Sequence, residues 1–172
     1  MGQMGEEPGL VPVEVVGVRQ HMSADEIVVL LLDADAELLV PILVGPAEAT
    51  AIAAAQAGIV PPRPMTHDLL RDVIRASGDD LDHVEITRLA DGVFYAELVL
   101  RRAARVDARA SDAIALALRF DAPVLCSAEV VALAGVEVRT TTSEEDLERF
   151  REFLDQVEPE DFETGAEPEE DR

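Results

Sequence analysis

Seven polar residues stand where their types could do chemistry together. Glu48 is the single charge in PAEATAIAAAQA; Arg63, His67 and Asp68 lie in PPRPMTHDLL; Asp107, Arg109 and Asp112 lie in VDARASDAIALALR. A neutral imidazole serves as a general base or a metal ligand. Carboxylates bind hard divalent cations, and guanidinium groups grip oxyanions. On residue type, His67, Asp68 and Glu48 are the catalytic candidates. Arg63 and Arg109 are the substrate-holding arginines, and Asp107 and Asp112 the metal ligands. Mg²⁺ or Mn²⁺ would suit those oxygen donors, and no organic cofactor is expected. The assignment follows from residue types; no spacing demands it.

Each group also has a plainer role. A carboxylate in a helix's first turn favours the helix dipole, which would account for Glu48 and Asp68. Thr66 is placed to cap a helix, and Asp68–Arg71 and Asp72–Arg75 to pair at i, i+3. Ser111 is the expected N-cap of the next buried helix, with Asp112 assisting. These rules leave Arg63 and His67 unexplained. Prolines at 61, 62 and 64 restrict the approach and would fix Arg63 relative to His67. The open question is whether segments 63–68 and 107–112 meet in one cleft.

The elements that must position these groups follow from hydrophobic patterning. Strands are expected at 11–20, 26–34 and 36–45, with the polar DADAE as a hairpin turn between the last two. Gly45-Pro46 closes the third strand and opens a small-residue helix over 46–57, which Gly58 stops. A second helix over 66–77 carries Leu69, Leu70, Val73 and Ile74 as its core stripe, with Gly78 as its C′ residue. Strands follow at 81–89, 93–102 and 104–110, the first two joined by Asp91-Gly92. A buried helix at 111–120, a short strand in APVLC and a short helix at 127–135 complete the series. The fold class is α+β, with mixed or antiparallel sheets and buried small-residue helices. AIAAA (51–55) aligns with AIALA (113–117), which suggests an internal duplication of a β-β-β-α-α unit. Beyond the domain, Leu147, Phe150, Phe153, Leu154 and Val157 are spaced for an amphipathic helix.

Composition bounds the rest. The chain has 172 residues, is 48% hydrophobic and only 3% aromatic, so its core must be aliphatic. The net charge is −22; residues 143–172 hold 14 acidic residues against 3 arginines. Such a chain repels bulk nucleic acid at long range, which counts against a purely electrostatic binder but leaves room for a local arginine patch. One cysteine, Cys126, excludes an internal disulfide and fits a reducing compartment. No secretory signal or membrane-length apolar run is evident. A cytoplasmic protein is expected, without membrane contact. Walker, dinucleotide-binding, zinc and nucleophile-elbow motifs are all absent from the sequence.

The segments LVPILVGPAEATAIAAAQAGIVPPRPMTHDLL and VDARASDAIALALRFDAPV, with DGVFYAELVL between them, resemble the bifunctional nuclease domain family. The resemblance covers about residues 11–138. It implies an α+β domain, some members of which act on both RNA and DNA; it supplies no agreed catalytic set. Leu43 stands where the family favours an aromatic residue, and Ala110 where it usually has proline.

The expected organisation is a leader (1–10), a bifunctional-nuclease-like domain (11–138), an acidic amphipathic helix (139–158) and a disordered acidic tail (159–172). Two functions compete. One is metal-assisted hydrolysis of phosphodiester bonds in RNA or DNA. The other is a non-catalytic, dimeric regulatory or ligand-binding module. Small-residue helices and apolar edge strands suggest a homodimer in either case.

Overall fold

In a computed structural model, residues 9–20 and 26–137 are described. The acidic helix expected over 139–158 and the tail over 159–172 lie outside them. So does all of the leader except Gly9 and Leu10, and Leu10 already opens the first strand.

The first three strands are β1 (Leu10–Gln20), β2 (Ile27–Asp33) and β3 (Leu38–Val44), an antiparallel meander. Asp33 shapes the β2–β3 turn by accepting hydrogen bonds from the amides of Asp35 and Ala36 at 3.1 Å. Helices α1 (Pro46–Gln56) and α2 (Thr66–Ala76) follow. A second meander comprises β4 (Leu81–Ala90), β5 (Val93–Leu100) and β6 (Arg105–Arg109), and runs directly into α3 (Ala110–Phe120). Then come β7 (Val124–Ser127), α4 (Ala128–Ala134) and β8 (Val136–Glu137). All eight strands form one sheet in the order β6-β5-β4-β7-β1-β2-β3-β8. Every pairing is antiparallel except β4 with β7.

The core lies on one face of this sheet. Val29, Leu31, Val40, Val84, Ile86, Ala96, Val124 and Cys126 share it, and α1, α3 and α4 cover it. Burial pushes the Cys126 thiol up to about 12, with the nearby Asp33 carboxylate adding to the shift, so it behaves as a small apolar group. Alanines along α1 and α3 allow the two helices to pack closely: Ala49, Ala51 and Ile52 are buried on α1, and Ala110, Ala113, Ile114, Ala115, Leu116 and Ala117 on α3. Among the described residues no helix is long and apolar enough to cross a membrane.

Four sequence expectations are corrected. First, the apolar stripe of α2 faces outward: Leu69, Leu70 and Val73 are exposed and only Ile74 is half-buried. The helix docks on α3 through polar side chains instead, as described below. Second, the helix caps differ. Met65 is the N-cap of α2 and Thr66 its first residue, while α3 starts at Ala110, one residue before Ser111, with Arg109 at its N-cap and no side-chain cap. Third, the expected i, i+3 pairs do not form. Asp68 pairs with Arg119, Arg71 with Asp72, and Arg75 lies 3.8 Å from Asp80. Fourth, the two halves share a meander followed by a helix, but then diverge. The first continues into α2; the second inserts β7, which stitches β1 to β4.

Candidate active site

Three helix N-termini converge here, each bringing an acidic residue at its third position: Glu48 on α1, Asp68 on α2 and Asp112 on α3. The dipole preference written in the sequence therefore holds for all three. What the sequence does not show is their partners. Asp112 accepts from Arg109 Nε at 2.7 Å on Oδ2, and from Arg109 Nη2 at 3.0 Å on Oδ1. Arg109 Nη2 also reaches Glu48 Oε1 at 3.0 Å. His67 Nε2 lies 3.0 Å from Asp112 Oδ1. Segments 63–68 and 107–112 thus meet, through His67 and the Asp112 carboxylate.

Charge fixes the proton on this contact. Burial opposes ionisation of Asp112, but the Arg109 and His67 hydrogen bonds outweigh it and hold the carboxyl below its ordinary value. An ionised carboxylate only accepts, so His67 Nε2–H donates to it and, in the neutral ring, Nδ1 keeps the lone pair. Hydrogen bonds to Asp112 first, then its charge, then Glu48 raise the Arg109 guanidinium above its ordinary value, so it is a permanent cation. Its Nη1, with two N–H donors, has no partner among the described residues, and the side chain is 66% exposed. Gly45, lacking a Cβ, leaves the space into which the Glu48 carboxylate returns.

Asp68 turns away from its neighbour His67. Its Oδ1 accepts from Arg119 Nε at 2.6 Å and its Oδ2 from the Met65 amide at 3.0 Å. Burial opposes its ionisation, but these partners together hold it below the ordinary carboxylate value. Arg119 itself is 6% exposed and donates from Nη1 to the carbonyls of Ala51 and Ala115. Residue type and spacing did not single out Arg119. The signal was available: one arginine in ALALRF is as anomalous as Glu48 in its own helix.

A cleft of about 680 Å³ opens beside this network. His67, Asp112, Arg109, Glu48 and Asp107 line it, with Leu70, Leu98, Val106 and Leu116 as apolar wall. A neighbouring cleft of about 430 Å³, lined in part by Leu43, Phe94 and Ser111, shares Glu48 and Arg109. Arg63 is exposed in the proline turn, lines neither cleft, and makes no hydrogen bond or ion pair among the described residues. Asp107 borders the larger cleft, yet lies opposite Glu97 in the β5–β6 ladder. It has no ion pair with the His67–Asp112 group among the described residues.

Among the described residues no three His, Cys, Asp or Glu side chains are grouped to hold a divalent cation. Both oxygens of Asp112 are engaged, and Arg109 already neutralises Asp112 and Glu48. In this arrangement the residues do not fit Mg²⁺ or Mn²⁺.

A second polar cluster occupies the other face of the sheet. Glu85 and Glu97 lie directly opposite on β4 and β5, a repulsive placement. Arg105 relieves it, bonding Glu85 at 2.8 and 3.0 Å and Glu97 at 2.7 Å. His83 bridges Asp82 at 2.7 Å and Glu85 at 2.9 Å.

The bifunctional nuclease domain family matches residues 29–139. The chain is also 44% identical over 158 residues to Uncharacterized protein MT1877 of Mycobacterium tuberculosis (strain CDC 1551 / Oshkosh). The same identity holds to Uncharacterized protein Rv1829 of Mycobacterium tuberculosis strain H37Rv. Each alignment spans 87% of this chain and 96% of the relative.

Proposed function

Since the chain belongs to the bifunctional nuclease domain family, we propose that it is a nuclease that hydrolyses phosphodiester bonds of RNA or DNA in the cleft beside His67. The observation that carries this reading is the His67–Asp112–Arg109 chain, with one ring nitrogen and one guanidinium nitrogen left for substrate. In this reading Asp112 holds the ring and its tautomer. His67 Nδ1 takes a proton from the attacking water, or from a ribose 2′-hydroxyl, as the new P–O bond forms; the P–O bond to the leaving oxygen breaks, and that oxygen takes its proton from solvent. Arg109 Nη1 binds a non-bridging phosphate oxygen, and its fixed charge stabilises the negative charge that builds during attack. Glu48 keeps Arg109 in place. Asp68, paired to Arg119, positions α2 rather than meeting substrate. Arg63 and Asp107 are left without a step. Metal assistance, expected from residue type, is not used, because these carboxylates do not fit the ion while Arg109 occupies them.

The test is hydrolysis of RNA and single-stranded DNA by purified protein, with and without EDTA, beside His67→Ala and Asp112→Asn. Activity that survives EDTA and is lost in both variants supports the reading. Equal activity in the wild type and both variants removes the site. Loss with EDTA alone restores a metal-assisted scheme in which Arg109 must leave the carboxylates.

The self-contained charge pairing favours a second reading, a non-catalytic ligand-binding module, since Arg109 alone neutralises much of the cleft. Substrate turnover separates the two. Self-association as a homodimer is a further part of the proposal; the outward stripe of α2 supports it, and sedimentation velocity reads it directly.

A further inference from the structure

We propose that the cleft takes a short single-stranded stretch of nucleic acid, held by a single phosphate and by aliphatic contact with a base, and not a duplex. The inference rests on the phosphodiester reading of the cleft and narrows its substrate class. Size comes first. A cleft of about 680 Å³ is that of a small-ligand site, typically about 300–1,000 Å³. Proteins that grip duplexes bury about 1,000–2,500 Å² of strongly basic surface. This chain carries a net charge of −22.

The distribution of cations agrees. Among the described residues Arg109 is the one arginine lining the cleft, and only its Nη1 is left for a phosphate there. Of the other arginines, Arg63 lines neither cleft, Arg119 is buried against Asp68, Arg71 is tied to Asp72, and Arg105 serves Glu85 and Glu97 on the opposite face of the sheet. Among the described residues lining the cleft, no second arginine stands ready for a second phosphate.

The walls supply the other half of the recognition. Met65, Leu70, Leu98, Val106 and Leu116 form an aliphatic surface beside His67 and Arg109. Such a surface favours the flat face of one base by excluding water. It offers no aromatic platform of the kind that strings successive bases along a groove. A base must be out of its stack to lie there, which selects unpaired nucleotides.

The experiment titrates the full-length protein with the dinucleoside monophosphate TpT, a dT oligonucleotide and a duplex of the same length, over a range of NaCl. One phosphate contact gives a log–log salt slope of about −0.7 on single strands, whereas a duplex gripped through six phosphates gives about −5. The expected result is dT oligonucleotide binding with the shallow slope and TpT binding with a slope no steeper, both weakened at least about tenfold by Arg109→Ala. Because that variant also unpairs Asp112 and Glu48, Val106→Asp is tested beside it. Val106 is 45% exposed on edge strand β6, so the change leaves folding intact while placing charge on the wall. It should weaken TpT by a similar factor. Tighter, steeply salt-dependent duplex binding overturns the inference, as does failure of TpT to bind or indifference to Val106→Asp. TpT that binds as described but is never cleaved supports this inference and removes the hydrolytic reading.

Discussion

The Asp112 carboxylate holds the candidate site together, because one small group accepts from both His67 and Arg109. Asp112→Asn keeps the shape but removes the charge and one acceptor. If His67 is the base, kcat should fall about 10²–10⁴-fold while the dissociation constant for TpT moves less than tenfold. Single-turnover kinetics and equilibrium titration read these separately. The same pairings set a pH dependence of stability. Asp68 and Asp112 have folded-state values below their ordinary 3.8, so the unfolded chain binds more protons in that window. Their stabilisation is present above about pH 4 and lost as pH falls through the lowered values. His83 has the opposite sign. Burial alone would lower it, but Glu85 and Asp82 raise it above its ordinary 6.5. Its contribution is complete below pH 6.5 and disappears as pH rises through the raised value. Thermal melts across both windows should therefore fall on the acid side, and also slope downward as pH rises from about 6.5 through the raised His83 value. His83→Gln should flatten the second slope, and should touch the acid side only through the part His83 plays beside Arg105 in holding Glu85 low.

Helix α2 is an element whose buried contacts are polar and whose exposed face is apolar, the reverse of the usual arrangement. Arg119 explains how it stays in place: from α3 it reaches Asp68 on α2 and a carbonyl of α1. The ion pair is nearly inaccessible to solvent, 6% and 13% exposed for the two side chains. Arg119→Met strands the Asp68 charge and should cost about 3–5 kcal/mol in urea unfolding, whereas Arg119→Met with Asp68→Leu should recover most of it. A loss in the double variant as large as in the single would mean that the carbonyl contacts, not the charge pair, hold α2. The stripe itself makes the contrasting case. Val73 is 54% exposed, so Val73→Glu should change the stability of the monomer by no more than about 0.5 kcal/mol. A cost of several kcal/mol would place Val73 in an interface.

The molecule as a whole works against its own charge. A net of −22 on 172 residues penalises compaction, and screening relieves the penalty. Raising NaCl from about 10 to 300 mM shortens the Debye length from about 30 Å to below 8 Å. The melting temperature should rise over that range, measured by calorimetry at pH 7; a fall would mean that the native ion pairs outweigh the general repulsion. The sheet adds a second molecular property. Strand β7 pairs with β1 on one side and β4 on the other, so both meanders share one ladder and one core. Neither meander closes its own hydrophobic face, which ties the site's three helices to a single cooperative unit.

Local rules recovered the order of the elements. Apolar runs and alternation marked β1 through β6, Gly45-Pro46 marked the start of α1, and the alanine-rich runs marked α1 and α3 as buried, because these signals depend on neighbours in the chain. Glu48, His67 and Asp112 could be singled out for the same reason: each is polar in an apolar setting or at a helix start. Their meeting could not be read, since it requires α1, α2 and α3 to bring their N-termini together through long-range packing. Nor could the facing of α2, where periodicity located an apolar stripe but was silent on which side α3 would occupy. The Glu85–Glu97 pair shows the limit most directly. Counting outward from the Asp91-Gly92 turn sets Glu85 against Leu98; a bulge between Ile86 and Arg88 shifts the ladder by one and sets it against Glu97. Composition and local pattern thus determined the elements and the polar residues worth watching. Packing and register alone decided which of those residues share a cleft, because contacts between distant segments are energetic choices that no short window of residues contains.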